Sequence, residues 1–399
     1  MEYFRKLGII EPILKSIEDE EFEKPTEIQE KSIPLILTGE DVIAGAATGS
    51  GKTLAFAADI IQKAKKGDGI QALVLTPTRE LAQQVAAALR VFSKYKPLKI
   101  IAVFGGVSIN PQMEQLRTAD VVIGTPGRIL DHIGRRTINL RSVNTLVLDE
   151  ADRMLDMGFI DDVKQIIREC PRERQTLLFS ATISREIAQL AQRYMRAPVE
   201  VAAETYVDPT KLTQFYYDAP DNLKFSLLVH LLEHEKAGLV MVFCNTRKNT
   251  DFVANNLKAA GIDALAIHGG LTQDKRDRVM QRFHAQNVCV LVCTDVAARG
   301  LDIPGVSHIY NYDIPKDSND YIHRIGRTAR AGEEGRAINI LTSRDHDSFR
   351  RVMHLKDVTI TEERLPEVKK VGIKWKDQPK RNTMRPRGRA AYRSRASHF

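Results

Sequence analysis

The sequence predicts two α/β units in tandem, each a parallel sheet with helices on both faces, joined by a short linker and followed by a basic disordered tail. Three observations lead there. Short β-rich apolar runs alternate with helical patterns from Ile43 onward, the pattern breaks after Ala202, and a similar alternation resumes as far as Leu341. At 399 residues the chain exceeds one ordinary core, because domains run to about 150 residues. The net charge of +8 is also uneven: Lys369 to Phe399 holds eleven Lys/Arg against one acid, Asp377, so that segment carries +10 and residues 1–368 sum to −2. The boundaries that follow are 1–203 for the first unit, 204–212 for the linker, 213–360 for the second unit and 361–399 for the tail.

The opening segment, Met1 to Leu37, reads as helical, with Ile9, Ile13, Leu14 and Ile17 spaced for one buried face. It also carries F-E-K-P-T-E-I-Q, Phe22 to Gln29. A glutamine amide can accept from and donate to an adenine edge, the bidentate pairing used on adenine in DNA, and an aromatic such as Phe22 can cover the base face. Next comes A-A-T-G-S-G-K-T, Ala46 to Thr53, between a short apolar run at Asp41–Gly45 and a helical pattern at Leu54–Ala64. In such a loop the backbone N–H groups wrap a polyphosphate, Lys52 reaches the outer phosphates and the Thr53 hydroxyl takes a place on Mg²⁺. Strand, loop and helix in that order aim a helix N-terminus at anionic phosphate.

Five further runs have strand length: Ala72–Leu75, Ile100–Phe104, Val121–Ile123, Thr145–Leu148 and Thr176–Phe179. Ligands of parallel sheets bind at the carboxyl ends of the strands, so the residues after each run are the ones to inspect. They are P-T-R-E-L-A (Pro77 to Ala82), Gly105-Gly106, T-P-G-R (Thr125 to Arg128), D-E-A-D (Asp149 to Asp152) and S-A-T (Ser180 to Thr182). Two carboxylates at the tip of a buried strand, Asp149 and Glu150, are costly unless a positive group faces them. Mg²⁺ on nucleotide phosphates is such a partner, and the second carboxylate can orient or deprotonate an attacking water.

The linker is expected in the polar, Pro-containing stretch between Ala202 and Leu212. Beyond it, strand-like runs recur at Leu239–Cys244, Ala264–Ile267, Val288–Cys293, His308–Tyr312 and Ala337–Leu341, with no second Gly-rich lysine loop. This unit contributes Y-I-H-R-I-G-R-T-A-R-A-G, Tyr321 to Gly332. Arg324, Arg327 and Arg330 are spaced by three, so they are expected to share a helical face that needs an anionic counterpart. A γ-phosphate held by the first unit supplies one, which makes Arg327 and Arg330 candidate arginine fingers.

From Lys369 onward no apolar periodicity remains, and the tail is expected to stay disordered. Its arginines, interspersed with Trp375, Tyr392 and Phe399, suit sequence-independent contact with a phosphate backbone plus base stacking. Cys170, Cys244, Cys289 and Cys293 lack metal-ligand spacing and read as structural thiols. No apolar run approaches the roughly 18 residues of a membrane span. The opening M-E-Y-F-R-K lacks the features of an export signal, so a cytoplasmic protein is expected.

In order and spacing these motifs resemble those of the DEAD-box ATP-dependent RNA helicases, over Phe4 to about Leu341. The resemblance implies two RecA-like domains and an RNA-stimulated ATPase that uses ATP and Mg²⁺, acts on RNA largely without regard to sequence, and needs no membrane and no second copy. Phe22, Thr26 and Gln29 would recognise adenine, with Phe4 as an upstream aromatic. Ala46, Thr48, Gly49, Ser50, Gly51, Lys52 and Thr53 would hold phosphates, and Asp149 and Glu150 would serve Mg²⁺ and water. Asp152, Ser180, Thr182 and His323 would couple hydrolysis to strand separation. Pro77, Thr78, Arg79, Gly105, Gly106, Thr125, Pro126, Gly127 and Arg128 would line the RNA path in the first domain, and Asn245, Thr246, Gln273, Arg276 and Thr294 in the second. Gly300, Asp302, His323, Arg327 and Arg330 would face the nucleotide. Two residues depart from the family's pattern: Glu21 and Ala329 stand where it usually has glycine, which puts the local backbone in question and leaves the chemistry intact.

Such a chain closes when nucleotide and strand bridge two domains that each hold half of both sites. A bent strand that a duplex cannot match would lose about four base steps at roughly 1.4 kcal/mol each, near 6 kcal/mol in all. Short duplexes would then open locally. Two other readings fit the motifs: an ATP-gated RNA clamp that seldom turns over, and a DNA-directed motor, since preference for RNA needs contacts to the 2′-OH.

Overall fold

Parallel strands buried on both faces read as near-continuous apolar runs, and this chain has two sets of them. The computed structural model describes residues 1–45, 50–202, 212–235, 237–298, 303, 305–329, 334–355 and 358–374. Within the first unit, β1 (Val42–Gly45), β2 (Ala72–Leu75), β3 (Ile100–Val103), β4 (Val121–Gly124), β5 (Thr145–Asp149), β6 (Gln175–Ser180) and β7 (Val199–Ala202) form one sheet in the order β3-β4-β2-β5-β6-β1-β7. Every pairing in it is parallel. Successive side chains alternate between faces, so Val74 joins a core with Ile28, Phe56 and Phe179, while Leu73 and Leu75 join another with Val122 and Ile166 on the opposite face. Because the strands run the same way, the carboxyl ends of β1, β2, β4, β5 and β6 all lie at one edge.

The second unit repeats the plan. Its strands β8 (Leu212–Asp218), β9 (Leu239–Phe243), β10 (Ala264–Ile267), β11 (Val290–Cys293), β12 (Val306–Asn311), β13 (Gly335–Leu341) and β14 (Thr361–Glu362) lie in the order β10-β11-β9-β12-β13-β8-β14, again all parallel. No helix among the described residues is long and apolar enough to cross a membrane. Cys170, Cys244 and Cys293 are buried, and burial pushes each thiol up, Cys170 to about 11, which keeps them unreactive.

Three departures from the sequence reading have local causes. Met1 to Leu37 forms three helices, Glu2–Lys6, Glu11–Asp19 and Glu27–Leu37, broken where Gly8 (φ 90°) and Glu21 (φ 56°) turn left-handed. The edge strands β7 and β14, and β8 beside β14, are partly exposed and so lack the apolar run that marks their neighbours. The tail does not leave the fold at residue 361. After β14, Leu365, Val368, Val371 and Ile373 pack onto the second unit's core, the Val371 N–H donates to Ser226 Oγ (3.0 Å), and Asn256 Oδ1 accepts from the Lys374 N–H (2.7 Å). Four apolar residues at irregular spacing suit an extended strap, which a helix or strand template does not detect. Residues 375–399, with Trp375, Tyr392 and Phe399, lie outside the described residues, as do linker residues 204–211.

A polar network ties the motif-bearing elements together at the sheet's other edge. Buried Asp59 pairs with Lys63 at 2.6 Å and accepts from Thr145 Oγ1 at 3.2 Å, Lys63 donates to Gln175 Oε1, and Gln175 Nε2 reaches the carbonyls of Ile36 and Glu40. Burial pushes the Asp59 carboxyl above its ordinary value of 3.8, against the pull of Lys63. A carboxylate that binds its proton more tightly when folded adds stability as pH falls through the folded value, completes that gain below the unfolded one, and loses it as pH rises. Asp59→Asn does not titrate, so wild type minus variant in urea unfolding is expected to grow on acidification toward 3.8. A flat or falling difference would remove Asp59 from the pH dependence.

Candidate functional site

The phosphate-loop helix Lys52–Lys63 starts after Gly51, whose φ of 84° is open to glycine at little cost. Lys52 Nζ lies 2.8 Å from Asp149 Oδ1 and 3.7 Å from Glu150 Oε1, while Glu150 Oε2 accepts from Arg153 at 3.0 Å. All four side chains are buried. Burial works against the Lys52 charge, yet Asp149 and Glu150 outweigh it and its pKa sits above the usual lysine value. Burial pushes Asp149 upward, with Lys52 pulling the other way. Among the described residues, Asp149 Oδ2 has no hydrogen-bond partner, nor has the buried Ser50 hydroxyl. Glu150 itself is left-handed at φ 53°, a strained junction where β5 hands over to the helix Ala151–Asp156.

Gln29 grips the phosphate loop from the side. Its Nε2 donates to the Gly51 carbonyl (2.9 Å), its Oε1 accepts from the Thr26 N–H (2.9 Å), and Thr26 Oγ1 donates to the Ser50 carbonyl (2.8 Å). An amide has two donor hydrogens and two lone pairs, so these bonds leave one of each for an adenine edge. Phe22 is 39% exposed beside Phe92 and keeps a face open. Phe4 does not: its ring is fully buried among core residues, where it packs the helices that carry the motif. Ala46, Thr48, Gly49, Gly300, Asp302 and Arg330 lie outside the described residues.

Asp152 joins two motifs. Its Oδ2 accepts from the Ala181 N–H (3.1 Å), the Thr182 N–H (3.0 Å) and Thr182 Oγ1 (3.3 Å), and its own N–H donates to Ser180 Oγ (3.1 Å). The loop after β6 therefore cannot shift without pulling on the helix that follows Asp149 and Glu150.

Between the two units runs a groove of about 440 Å³. Pro77, Thr78, Arg79, Gly105, Thr125, Gly127 and Arg128 line it from the first unit, Gln273 and Arg276 from the second. Arg276 bridges to Glu80 at 2.9 Å, and Arg79 donates to Gln273 Oε1 at 3.4 Å, so the walls are pinned across the cleft. A side chain on Gly106 (φ 80°) would strike the Arg79 guanidinium. Gly106, Pro126, Asn245, Thr246 and Thr294 do not line this cavity; Pro126 opens the helix Pro126–Gly134 and Thr246 caps Arg247–Ala259. Met157, Phe159, Leu271 and the 54% exposed Val296 do line it, and the sequence reading missed them. Their only signal is position: Met157 and Phe159 just after D-E-A-D-R-M-L-D, Leu271 after His268-Gly269-Gly270, and Val296 just past Thr294.

Residues 26–190 match the family model described as DEAD/DEAH box helicase, and residues 223–332 the one described as Helicase conserved C-terminal domain. The chain belongs to the DEAD-box ATP-dependent RNA helicases. It is similar to ATP-dependent RNA helicase CshA of Listeria monocytogenes, 47% identical over 356 residues that cover 88% of this chain and 68% of that one. Against DEAD-box ATP-dependent RNA helicase CshA of Geobacillus kaustophilus it is 46% identical, covering 86% and 74%. Among solved structures, S. cerevisiae Dbp5 bound to RNA and ADP BeF3 is 33% identical with a TM-score of 0.83, covering 91% of this chain and 96% of that one. A DEAD box protein from Methanococcus jannaschii is more identical, 41%, yet scores 0.56 over 90% and 99%.

In this DEAD-box helicase Arg324 and Arg327, the two described arginines of the triplet, do not share a helical face. The helix Ser318–Ile325 ends before Arg327, which is buried in the following turn. Arg324 finds its counterpart inside its own domain, Asp295 at 2.5 Å, and not in a facing phosphate. His323 and Arg327 line a small recess with Phe243, Asp295 and Asp320.

Both departures from the helicase glycine pattern occupy left-handed backbone: φ is 56° at Glu21 and 54° at Ala329. That conformation costs an L-residue roughly 1–2 kcal/mol, while glycine adds about 0.5–1 kcal/mol of chain entropy to lose. Glu21→Gly and Ala329→Gly are each expected to stabilise the chain by about 0.5–1 kcal/mol, a rise of ~1–4 °C in Tm by calorimetry. A fall in Tm for either would refute strain at that position.

Proposed function

We propose that this helicase opens short RNA duplexes locally, without long-range translocation, and remodels ribonucleoprotein as a cytoplasmic monomer. What supports the reading is the groove: its walls come from both domains and are pinned across the cleft by Arg276–Glu80 and Arg79–Gln273. Greater likeness in shape to S. cerevisiae Dbp5 bound to RNA and ADP BeF3 (TM-score 0.83) than to the more identical archaeal protein (0.56) supports the same point.

The donor set suits ATP with Mg²⁺: Asp149 Oδ2 and the Ser50 hydroxyl are buried polar atoms without partners among the described residues, and a carboxylate beside phosphates is a usual seat for the hydrated ion. When bound, ATP–Mg²⁺ supplies the scissile anhydride and the charge that offsets the paired carboxylates. The chain's own part is specific. Gln29 offers its remaining donor and acceptor to adenine, Lys52 and Thr53 hold the outer phosphates, and Glu150 accepts the proton of the attacking water. Asp152 carries the change to Ser180 and Thr182. Arg327 approaches from the second domain, a contribution of the kind worth about 10³ to 10⁵ in rate.

Strand separation on RNA duplexes of increasing length tests the proposal. Duplexes of about one turn are expected to open with ATP, with yield falling steeply beyond that. Steady opening of duplexes many turns long would overturn it, and ATPase activity barely stimulated by RNA would favour a clamp. Removal of residues 375–399, leaving the docked strap in place, is expected to weaken RNA binding and flatten its salt dependence by about 0.7 in logarithmic slope per lost phosphate contact. An unchanged slope would show the tail takes no part.

A further inference from the structure

Past β14 the strap crosses two helices of the second domain. The Val371 N–H meets Ser226 Oγ in the first turn of the helix Lys224–His234. Lys374 is held near the end of the helix Arg247–Ala259, where Asn256 Oδ1 accepts from its N–H (2.7 Å) and Asn256 Nδ2 donates to its carbonyl (3.3 Å). Both helices connect parallel strands, so each starts at the carboxyl edge of the sheet and finishes at the amino edge. The strap therefore runs away from the groove. At that amino edge, beside the starts of β9 and β11, lies a recess of about 330 Å³ walled by Leu232, Ile262 and Val288, with the exposed Asp263, Asn287 and Cys289 around them. Leu232 and Ile262 belong to the same apolar cluster as the strap's Leu365, Val368, Val371 and Ile373. The Ile262 N–H donates to the Leu257 carbonyl (2.9 Å), which folds it back beside the turn that carries Asn256.

We propose that Trp375 fills this recess and so fixes the root of the basic tail on the second domain. Trp375 follows the doubly bonded Lys374 and is the chain's only tryptophan. Two observations select it as the occupant. The strap's apolar contact is continuous with the recess through Leu232 and Ile262, and the strap's course delivers the next residue toward that edge. The chemistry agrees: an indole buries roughly 150–250 Å² of largely apolar surface and carries one N–H that needs an acceptor. Leu232, Ile262 and Val288 suit the ring, and Asp263 and Asn287 have side-chain oxygens for the N–H. This role takes Trp375 away from the base stacking expected of the tail. Anchored there, the eight Lys/Arg of residues 376–399 start at the edge opposite the groove. Up to about 80 Å of extended chain, at roughly 3.3 Å per residue, lets them meet a strand where it has left the groove. The anchor stands whether the helicase opens duplexes or clamps a strand.

The lone tryptophan is its own reporter. In the full chain without RNA, its emission is expected to be blue-shifted from that of the urea-unfolded chain, and its quenching by acrylamide at least threefold weaker; matching values overturn the proposal. Cys289 is a second reporter, since Cys170, Cys244 and Cys293 are buried and it is exposed. Trp375→Ala is expected to speed the reaction of Cys289 with an aromatic disulfide reagent at least fivefold. An unchanged rate would place the indole elsewhere and overturn the proposal. Leu232→Gln is expected to move the emission toward the unfolded value, and a folded variant with wild-type emission counts against the recess. Should Leu232→Gln fail to fold, the thiol rate in Trp375→Ala decides, because that substitution leaves the docked strap and the core intact. Shielding that disappears on dilution would mean that the indole enters a second copy. Shielding that appears only with single-stranded RNA would mean that it stacks on bases, and either result overturns the proposal.

Discussion

Glu150→Gln is expected to stop turnover while ATP and RNA stay bound. The substitution keeps the side chain's shape and its hydrogen bond from Arg153, now 3.0 Å from Oε2, but an amide oxygen does not take a proton from water. General-base groups contribute about 10² to 10⁴ in rate, so kcat is expected to fall by that factor with the affinity for a nucleotide analogue within a few-fold of wild type. One complication is electrostatic. Arg153 is 2% exposed, and stripping a buried charge of its partner costs up to about 3–5 kcal/mol, so a lower Tm is part of the expected result. Single-turnover hydrolysis by protein shown to be folded and saturated with analogue separates the two effects. Undiminished hydrolysis in that sample takes Glu150 out of the reaction.

That the site could be read so far from the residues alone has a physical basis. Strands buried on both faces demand apolar residues at every position, so β2 and β10 were legible to the residue, and the polar residues just past β5 and β6 stood out against them. The strand β8, Leu212–Asp218, flanked on one side only by the two-residue β14, reads L-T-Q-F-Y-Y-D because part of it meets solvent, and no apolar run marks it. Arg324 failed for another reason. A spacing of three is compatible with a shared helical face, but the helix ends at Ile325, and what settles the side chain is Asp295, 29 residues away in sequence. Phe159 and Val296 stayed silent because a lone apolar residue in a loop is uninformative until the opposite wall of the groove is known.

Asp152→Ala is expected to uncouple the two activities. Three hydrogen bonds converge on Asp152 Oδ2 from Ala181 and Thr182, and alanine removes all of them at once. Ala181 and Thr182 are exposed, so water can satisfy the released N–H groups and the fold loses little. What goes is the loop's fixed position relative to Glu150. Bonds to a charged acceptor are worth about 1.5–3 kcal/mol each, and retaining even a net 3 kcal/mol of that restraint corresponds to roughly a hundredfold bias toward the ordered loop. Strand separation per ATP hydrolysed is therefore expected to fall at least tenfold, while RNA-stimulated ATPase stays within a few-fold of wild type because Lys52, Asp149 and Glu150 keep their own contacts. Asp152→Asn retains one oxygen in place and is expected to fall between the two. If both variants lose ATPase and strand separation in parallel, Asp152 belongs to the hydrolytic machinery, and the link from β5 to β6 is not where chemical and mechanical steps are joined.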